Sequence, residues 1–179
     1  MRYGWARSVA ALGAAALLAG TAACGREPAA PNEVAAQNLR AAEFFLASNA
    51  KAEGVRVMPS GVQYKVVANG PPIGESPDRN DLVRVNYEGT LIDGTVFDSS
   101  FQSGQPAVFT VGDVVPGWTE ALQQMQVGDE WIVYVPPALG YGEQGRPGIP
   151  PNSVMIFRIG LLDIARAPGG ERGGPVGMG

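Results

Sequence analysis

The stretch Val83-Arg84-Val85-Asn86-Tyr87-Glu88-Gly89-Thr90-Leu91-Ile92-Asp93-Gly94-Thr95-Val96-Phe97-Asp98-Ser99-Ser100 decides how this chain folds. Val83, Val85 and Tyr87 alternate with Arg84, Asn86 and Glu88, the period-two pattern of a strand with one buried face. Asp93-Gly94 is expected to supply the positive-φ positions of a tight hairpin turn, after which the chain returns as a partner strand. In a regular strand Phe97 and Asp98 would point to opposite faces. An aromatic directly beside an acid at an apolar rim therefore predicts a bend, and that rim is the candidate site.

Outward from this hairpin the pattern stays strand-rich. Val62, Tyr64 and Val66 alternate as a strand, followed by a Pro-, Gly- and Asp-rich surface loop from Ala68 to Arg79. Val108 to Val115 reads as strand interrupted at Gly112-Asp113, and Thr119 to Met125 as a short helix with Ala121, Leu122 and Met125 facing inward. Val127-Gly128-Asp129 turns the chain into the strand Trp131 to Val135, and Val154 to Ile164 is another. Trp131 is assigned to the core and Tyr134 to the surface. Many antiparallel strands with one short helix predict an α+β fold, a curved sheet wrapped around that helix.

The ends carry different information. Arg2 and Arg7 precede the apolar run Val9 to Gly20, too short to span a bilayer as a stable helix. With the small residues Thr21-Ala22-Ala23 behind it, this run reads as a secretory signal peptide over residues 1–23. Its removal takes away Arg2 and Arg7 and no acid, leaving 11 basic and 17 acidic residues, a net charge of −6. No Lys/Arg-rich patch is present, which argues against nucleic acid or an anionic lipid surface as partner. Residues 24–31 read as a tether. Residues 32–54 read as a helical arm, with Asn32 as N-cap and Gly54 as the stop. Leu39, Phe45 and Leu46 with Ala35, Ala42 and Ala50 give the arm an apolar stripe that must be covered, by a second copy or by its own domain. The domain proper is expected over 55–166, with a Gly-rich, disordered tail over 167–179.

The chain contains no histidine, which removes the commonest general base and the commonest zinc ligand. Cys24 is the only thiol, and Gly140-Tyr141-Gly142 lacks the further glycine and helix start of a dinucleotide site. No cofactor and no metal is expected.

Four blocks, in order, resemble the FKBP-type peptidyl-prolyl cis-trans isomerase family over roughly Gly61 to Ala165. The first is the opening hairpin, with Tyr87-Glu88-Gly89-Thr90-Leu91 and Phe97-Asp98-Ser99. The others are Val114-Val115-Pro116-Gly117-Trp118, Pro136-Pro137-Ala138-Leu139-Gly140-Tyr141-Gly142, and Arg146-Pro147-Gly148-Ile149-Pro150-Pro151-Asn152 with the strand from Val154. Phe45 to Val55 followed by Pro59 to Val66 resembles the arm-to-domain junction of the macrophage infectivity potentiator-like subgroup, whose arm is longer and dimerises. Cys24, directly behind the signal peptide, resembles the lipid-attachment residue of bacterial lipoproteins, although Thr21 stands where that pattern usually has Leu. The plain alternative is cleavage after Ala23, giving a soluble periplasmic protein. The resemblance implies a periplasmic, lipid-anchored protein, monomeric or homodimeric, that accelerates rotation about X-Pro bonds in proline-containing polypeptides. It also implies macrolide inhibitors as ligands.

That chemistry requires no acid, base or nucleophile. The barrier of about 18–20 kcal/mol is largely lost amide resonance. The twisted transition state is less dipolar than the planar amide, so a dry apolar pocket stabilises it differentially. The resemblance places Trp118 under the proline ring, with Phe97, Phe157 and Tyr87 around it. It makes the Tyr141 hydroxyl and the Val115 N–H donors to substrate carbonyls, and Asp98 an acceptor at the rim. Phe109, Val114, Leu139 and Ile149 are expected to contact substrate. The chain departs from the family at Gly140, where Ala is common, and near Ala107 to Phe109, where only Phe109 is aromatic. A rival reading is a periplasmic chaperone or protein-binding module of the same fold with little catalysis.

Overall fold

The computed structural model describes residues 31–72 and 74–167, so the stretch read as a signal peptide, Cys24 and nearly all of the expected tail lie outside the described residues. Helix α1 spans Pro31–Asn49, and strands β1, Val55–Val57, and β2, Gln63–Ala68, follow. Next come β3, Leu82–Thr90, β4, Val96–Ser99, the single turn α2, Ser100–Ser103, and β5, Ala107–Thr110. Helix α3, Pro116–Leu122, precedes β6, Glu130–Val135, a 3₁₀ turn at Pro137–Leu139 and β7, Met155–Ala165.

The strands form one antiparallel sheet in the order β1-β2-β6-β7-β3-β4, with β5 pairing the early part of β3 on the edge that β4 uses later. Alternation sorts the side chains. Val83, Val85 and Tyr87 of β3, Trp131, Val133 and Val135 of β6, and Met155, Phe157, Ile159 and Leu161 of β7 are buried together on the inner face. Helix α3 lies across that face and contributes Ala121 and Leu122, with Met125 just beyond it, all fully buried. A Cβ on Gly117 would come 2.6 Å from Val135 Cγ1, so the helix backbone rests directly on β6. Each fully buried large aliphatic side chain is worth about 1.5–3 kcal/mol. The expected α+β sheet around a short helix is the observed fold.

Several local expectations change. Gly94 has φ 84, but Asp93 does not have positive φ, so the turn is not the two-residue type expected from Asp-Gly. Instead Gly94 N–H donates to Leu91 O at 3.0 Å and Leu91 N–H to Thr95 O at 2.9 Å, a three-residue loop closed by the glycine. Asp93 serves otherwise, its Oδ1 accepting from Thr95 N–H at 2.9 Å. Helix α3 begins at Pro116 rather than Thr119, because proline's fixed φ suits the first helical turn. The interrupted strand ends at Thr110.

The arm is helical but stops at Asn49 rather than running to Glu53, and Asn32 lies inside its first turn. It folds back against the outer face of β2 and β6. Gln63 Nε2 donates to Leu46 O at 2.9 Å, Asn49 Nδ2 donates to Gln63 Oε1 at 2.8 Å, and the Phe45 ring lies 6.0 Å from that of Tyr134. Tyr134 is therefore half-buried under the arm, not a bare surface residue. None of the described helices is long and apolar enough to cross a membrane.

Candidate active site

The expected bend is a β-bulge. Gly89 pairs with Asp98 and Thr90 with Val96, which leaves Phe97 as the extra residue on β4. Strict alternation fails at that point, and both Phe97 and Asp98 reach the same cleft. The strand gives way to α2 at Ser100, whose buried hydroxyl accepts from Tyr87 N–H at 2.9 Å and donates to Tyr87 O at 3.3 Å. A side chain thus supplies the ladder bonds that β4 no longer makes, and holds Tyr87 in place.

The cleft has a volume of about 530 Å³ between the inner sheet face and α3. Trp118 forms its floor and is only 4% exposed. Three rings pack nearly perpendicular to that indole: Tyr87 at 5.2 Å and 88°, Phe109 at 5.7 Å and 90°, and Phe157 at 5.0 Å and 80°. Phe97 meets Phe157 edge-on at 5.5 Å. Edge-to-face packing satisfies ring quadrupoles, holds each ring at a fixed angle and leaves the enclosed hollow open. Trp118 Nε1 is buried without a hydrogen-bond partner among the described residues.

Gly89 makes this arrangement possible. A Cβ there would lie 2.7 Å from Phe97 Cζ and 2.8 Å from Phe157 Cε1. The glycine of the Tyr-Glu-Gly segment is a space for two rings.

The rim is polar. Val114 and Val115 lead into α3, and among the described residues Val115 N–H has no protein acceptor. Opposite them, the β6–β7 loop presents Tyr141, Arg146, Pro147 and Ile149. Ile149 N–H donates to Arg146 O at 2.8 Å across Pro147-Gly148, with Gly148 at φ 85, the signature of a type II turn. That turn aims Arg146 back at the cleft, where its Nη1 donates to the Tyr141 hydroxyl at 2.7 Å and its guanidinium carbon lies 5.0 Å from the ring centre. The Tyr141 oxygen thus accepts from Arg146, and its own O–H points elsewhere. Burial, then the facing Asp98 carboxylate, push the Tyr87 hydroxyl well above its ordinary value, so it is neutral throughout the physiological range.

Tyr87, Phe97, Asp98, Val115, Trp118, Tyr141, Phe157, Phe109, Val114 and Ile149 all line this one cleft. Leu139 does not: it lies on the 3₁₀ turn, packed half-buried against the core. Asp113, Arg146 and Pro147 line the cleft without having been singled out. The Arg-Pro-Gly-Ile turn signal was the clue to Arg146. Among the described residues no three His, Cys, Asp or Glu side chains cluster as metal ligands.

Comparison with known proteins follows the same lines. The family described as FKBP-type peptidyl-prolyl cis-trans isomerase matches residues 74–162, and the domain amino terminal to FKBP-type peptidyl-prolyl isomerase matches residues 15–66. The FKBP-type 22 kDa peptidyl-prolyl cis-trans isomerase of Escherichia coli is 44% identical over 171 residues, covering 83% of this chain and 82% of that protein. The outer membrane protein MIP of Legionella longbeachae is 47% identical over 137 residues, 76% of this chain and 58% of that one. The crystal structure of FkpA from Escherichia coli superposes with a TM-score of 0.74 at 43% identity, covering 77% of this chain and 64% of that chain. The chain spans about half the length of several curated relatives it matches.

Proposed function

Because this chain belongs to the FKBP-type peptidyl-prolyl cis-trans isomerase family, we propose that the aromatic cleft binds a proline and accelerates rotation about the preceding peptide bond. The observation that supports this most is the set of aromatic rings packed at right angles on Trp118, lining a hollow of about 530 Å³ with Asp98, Tyr141 and Arg146 at its rim. The two X-Pro isomers differ by only about 0.5–1 kcal/mol, so lowering the barrier is all that catalysis requires. The proline ring stacks on Trp118 between Phe97 and Phe157. The planar amide, the more dipolar state, loses hydration there and gains little in return, while the twisted amide loses less.

Hydrogen bonds at the rim hold the flanking carbonyls during this rotation. The unpaired Val115 N–H and the Tyr141 hydroxyl are the donors, and because the Tyr141 oxygen accepts from Arg146 its own proton is left to donate to substrate. Asp98 holds the neutral Tyr87 hydroxyl and limits how the peptide lies across the mouth.

Asp98→Val, Phe97→Ala and Tyr141→Phe are each expected to lower kcat/KM on a proline peptide by about tenfold or more without unfolding the domain. Full activity in all three would sink the assignment. The substrates are proline-containing polypeptides outside the cytoplasm, with the chain held at a membrane by a lipid on Cys24. The signal-like segment before Cys24 and the name of the Legionella relative support that placement. Cys24→Ala is expected to move the protein from the membrane to the soluble fraction, and unchanged fractionation would reject the anchor.

A further inference from the structure

We propose that helix α1 is part of the isomerase apparatus: through Asn38 and Asn152 it holds the loop carrying Tyr141, Arg146 and Ile149 in its working shape. This rests on the isomerase reading of the cleft.

The loop between the 3₁₀ turn and β7 is long and has little sheet pairing of its own, only the isolated bridge of Arg146 with Ile149. It ends in Pro150-Pro151, two residues that have no N–H and offer only carbonyls. Those carbonyls need donors from elsewhere, and both have one. Ser153 Oγ donates to Pro150 O at 2.8 Å, and Asn38 Nδ2, from α1, donates to Pro151 O at 2.8 Å.

Asn152 closes the loop from the other side. It is the one non-glycine residue with positive φ among the described residues, at 54°, a conformation that Asn tolerates better than most side chains. Its N–H donates to Gly142 O at 2.8 Å, tying the loop's end to the residue after Tyr141. Its side chain is buried, and Nδ2 donates to Ala35 O on α1 at 3.0 Å. Helix and loop therefore each give a side-chain amide to a carbonyl of the other. Asn38 and Asn152 touch no substrate and are positioning residues. Their effect is to raise the fraction of time in which Tyr141, Arg146 and Ile149 stand at the rim, and apparent affinity scales with that fraction.

The test uses the full chain and three variants. Asn152→Gly keeps the positive φ and removes the side-chain bond, and Asn38→Ala removes the reciprocal one. Asn49→Ala is the control, since it breaks the bond to Gln63 at the far end of the same helix and leaves the loop alone. Amide hydrogen exchange is read at Gly145, Arg146, Ile149 and Asn152, whose N–H groups are bonded within the loop. KM and kcat for a proline peptide are measured alongside. Asn38→Ala and Asn152→Gly are each expected to speed loop exchange about fivefold, the worth of one net hydrogen bond, and to raise KM measurably by up to that factor, with kcat within about twofold. Asn49→Ala is expected to change neither. Unaltered loop exchange, an unaltered KM, or an equal response to Asn49→Ala each overturns the proposal. An inactive wild-type chain would instead overturn the isomerase reading, and loop exchange that still responds to Asn38→Ala tells the two failures apart.

Discussion

The same strands carry two hollows of nearly equal size on opposite faces. On the inner face, Tyr87 of β3 and Phe157 of β7 help enclose about 530 Å³. One residue along each strand, Glu88 and Arg158 turn outward and border a groove of about 550 Å³ with Asn86, Asp129, Glu130 and Gly160. Volume does not distinguish the two. Chemistry does: the inner walls are rings locked edge to face, whereas the outer charges satisfy one another, Arg158 pairing with Glu130 and the buried Asp129 accepting from Gly70 and Gln126 N–H groups. A proline entering the inner cleft meets unoccupied apolar surface. One entering the outer groove would have to displace hydration from exposed charges, and the aromatic that lines it, Phe101, is an exposed ring with no aromatic neighbour among the described residues. Period-two alternation thus makes one backbone serve as a binding site and a solvated surface at once.

Filling the inner hollow is the most direct way to erase this difference. Gly89→Ala places a methyl within 2.8 Å of both the Phe97 and Phe157 rings, whose atoms belong to packed side chains with little room to move. At least one of these two cleft-lining rings must shift. We expect kcat/KM to fall by about 100-fold or more, the scale of an ångström-size displacement at a reacting centre. Activity within tenfold of wild type would show that the cleft tolerates other ring positions.

Exchanging neighbours on β7 sharpens the comparison with a smaller effect. Phe157→Leu keeps an apolar inner residue but removes the edge facing Trp118, and is expected to cost about tenfold in kcat/KM. Arg158→Ala, one position along, breaks only an exposed pair worth about 0–1 kcal/mol and should leave kcat/KM within about twofold. Similar losses from both would mean that the outer groove also takes part.

How much of this could be read from the chain follows from which interactions are local. Alternation through Val83, Val85 and Tyr87 fixes which side chains share a face, and the Phe97-Asp98 pair signalled the bend, so the sheet was legible from local pattern, whereas the grouping of the cleft's aromatic walls came from the family resemblance. Asp93-Gly94 encoded a turn but not its length, because the same dipeptide closes two- and three-residue loops and the difference lies in Asp93's own φ. Leu139 was expected at the substrate, but it stands on the 3₁₀ turn after Pro136 and packs half-buried against the core, a local orientation that the loop's residue pattern does not encode. The arm's stripe announced that it must be covered without naming the cover. That cover depends on Gln63, Tyr134 and Asn152, distant in sequence and unremarkable alone. Gly89 could be seen as a motif glycine, but its purpose is visible only once the two rings stand beside it.

The smallest expected effect concerns protons. Burial, and then Asp98, raise the Tyr87 hydroxyl above its ordinary pKa of about 10. The folded chain therefore holds that proton more tightly than the unfolded one. Its contribution to stability is complete below pH 10 and declines as pH rises from there toward the folded value. Over a full pH unit inside that window one such group removes up to about 1.4 kcal/mol, so about 1 kcal/mol is expected between pH 10 and 11. Tyr87→Phe abolishes this share, and urea unfolding at pH 9, 10 and 11 should show a correspondingly shallower decline than wild type. Tyr134, raised by burial under the arm on the opposite face, supplies the contrast. Tyr134→Phe should also flatten the alkaline decline while leaving proline-peptide turnover unchanged, whereas Tyr87→Phe should lower turnover at every pH. If Tyr87→Phe kept the wild-type slope, the hydroxyl would be titrating freely in water and the inner cleft would not be dry.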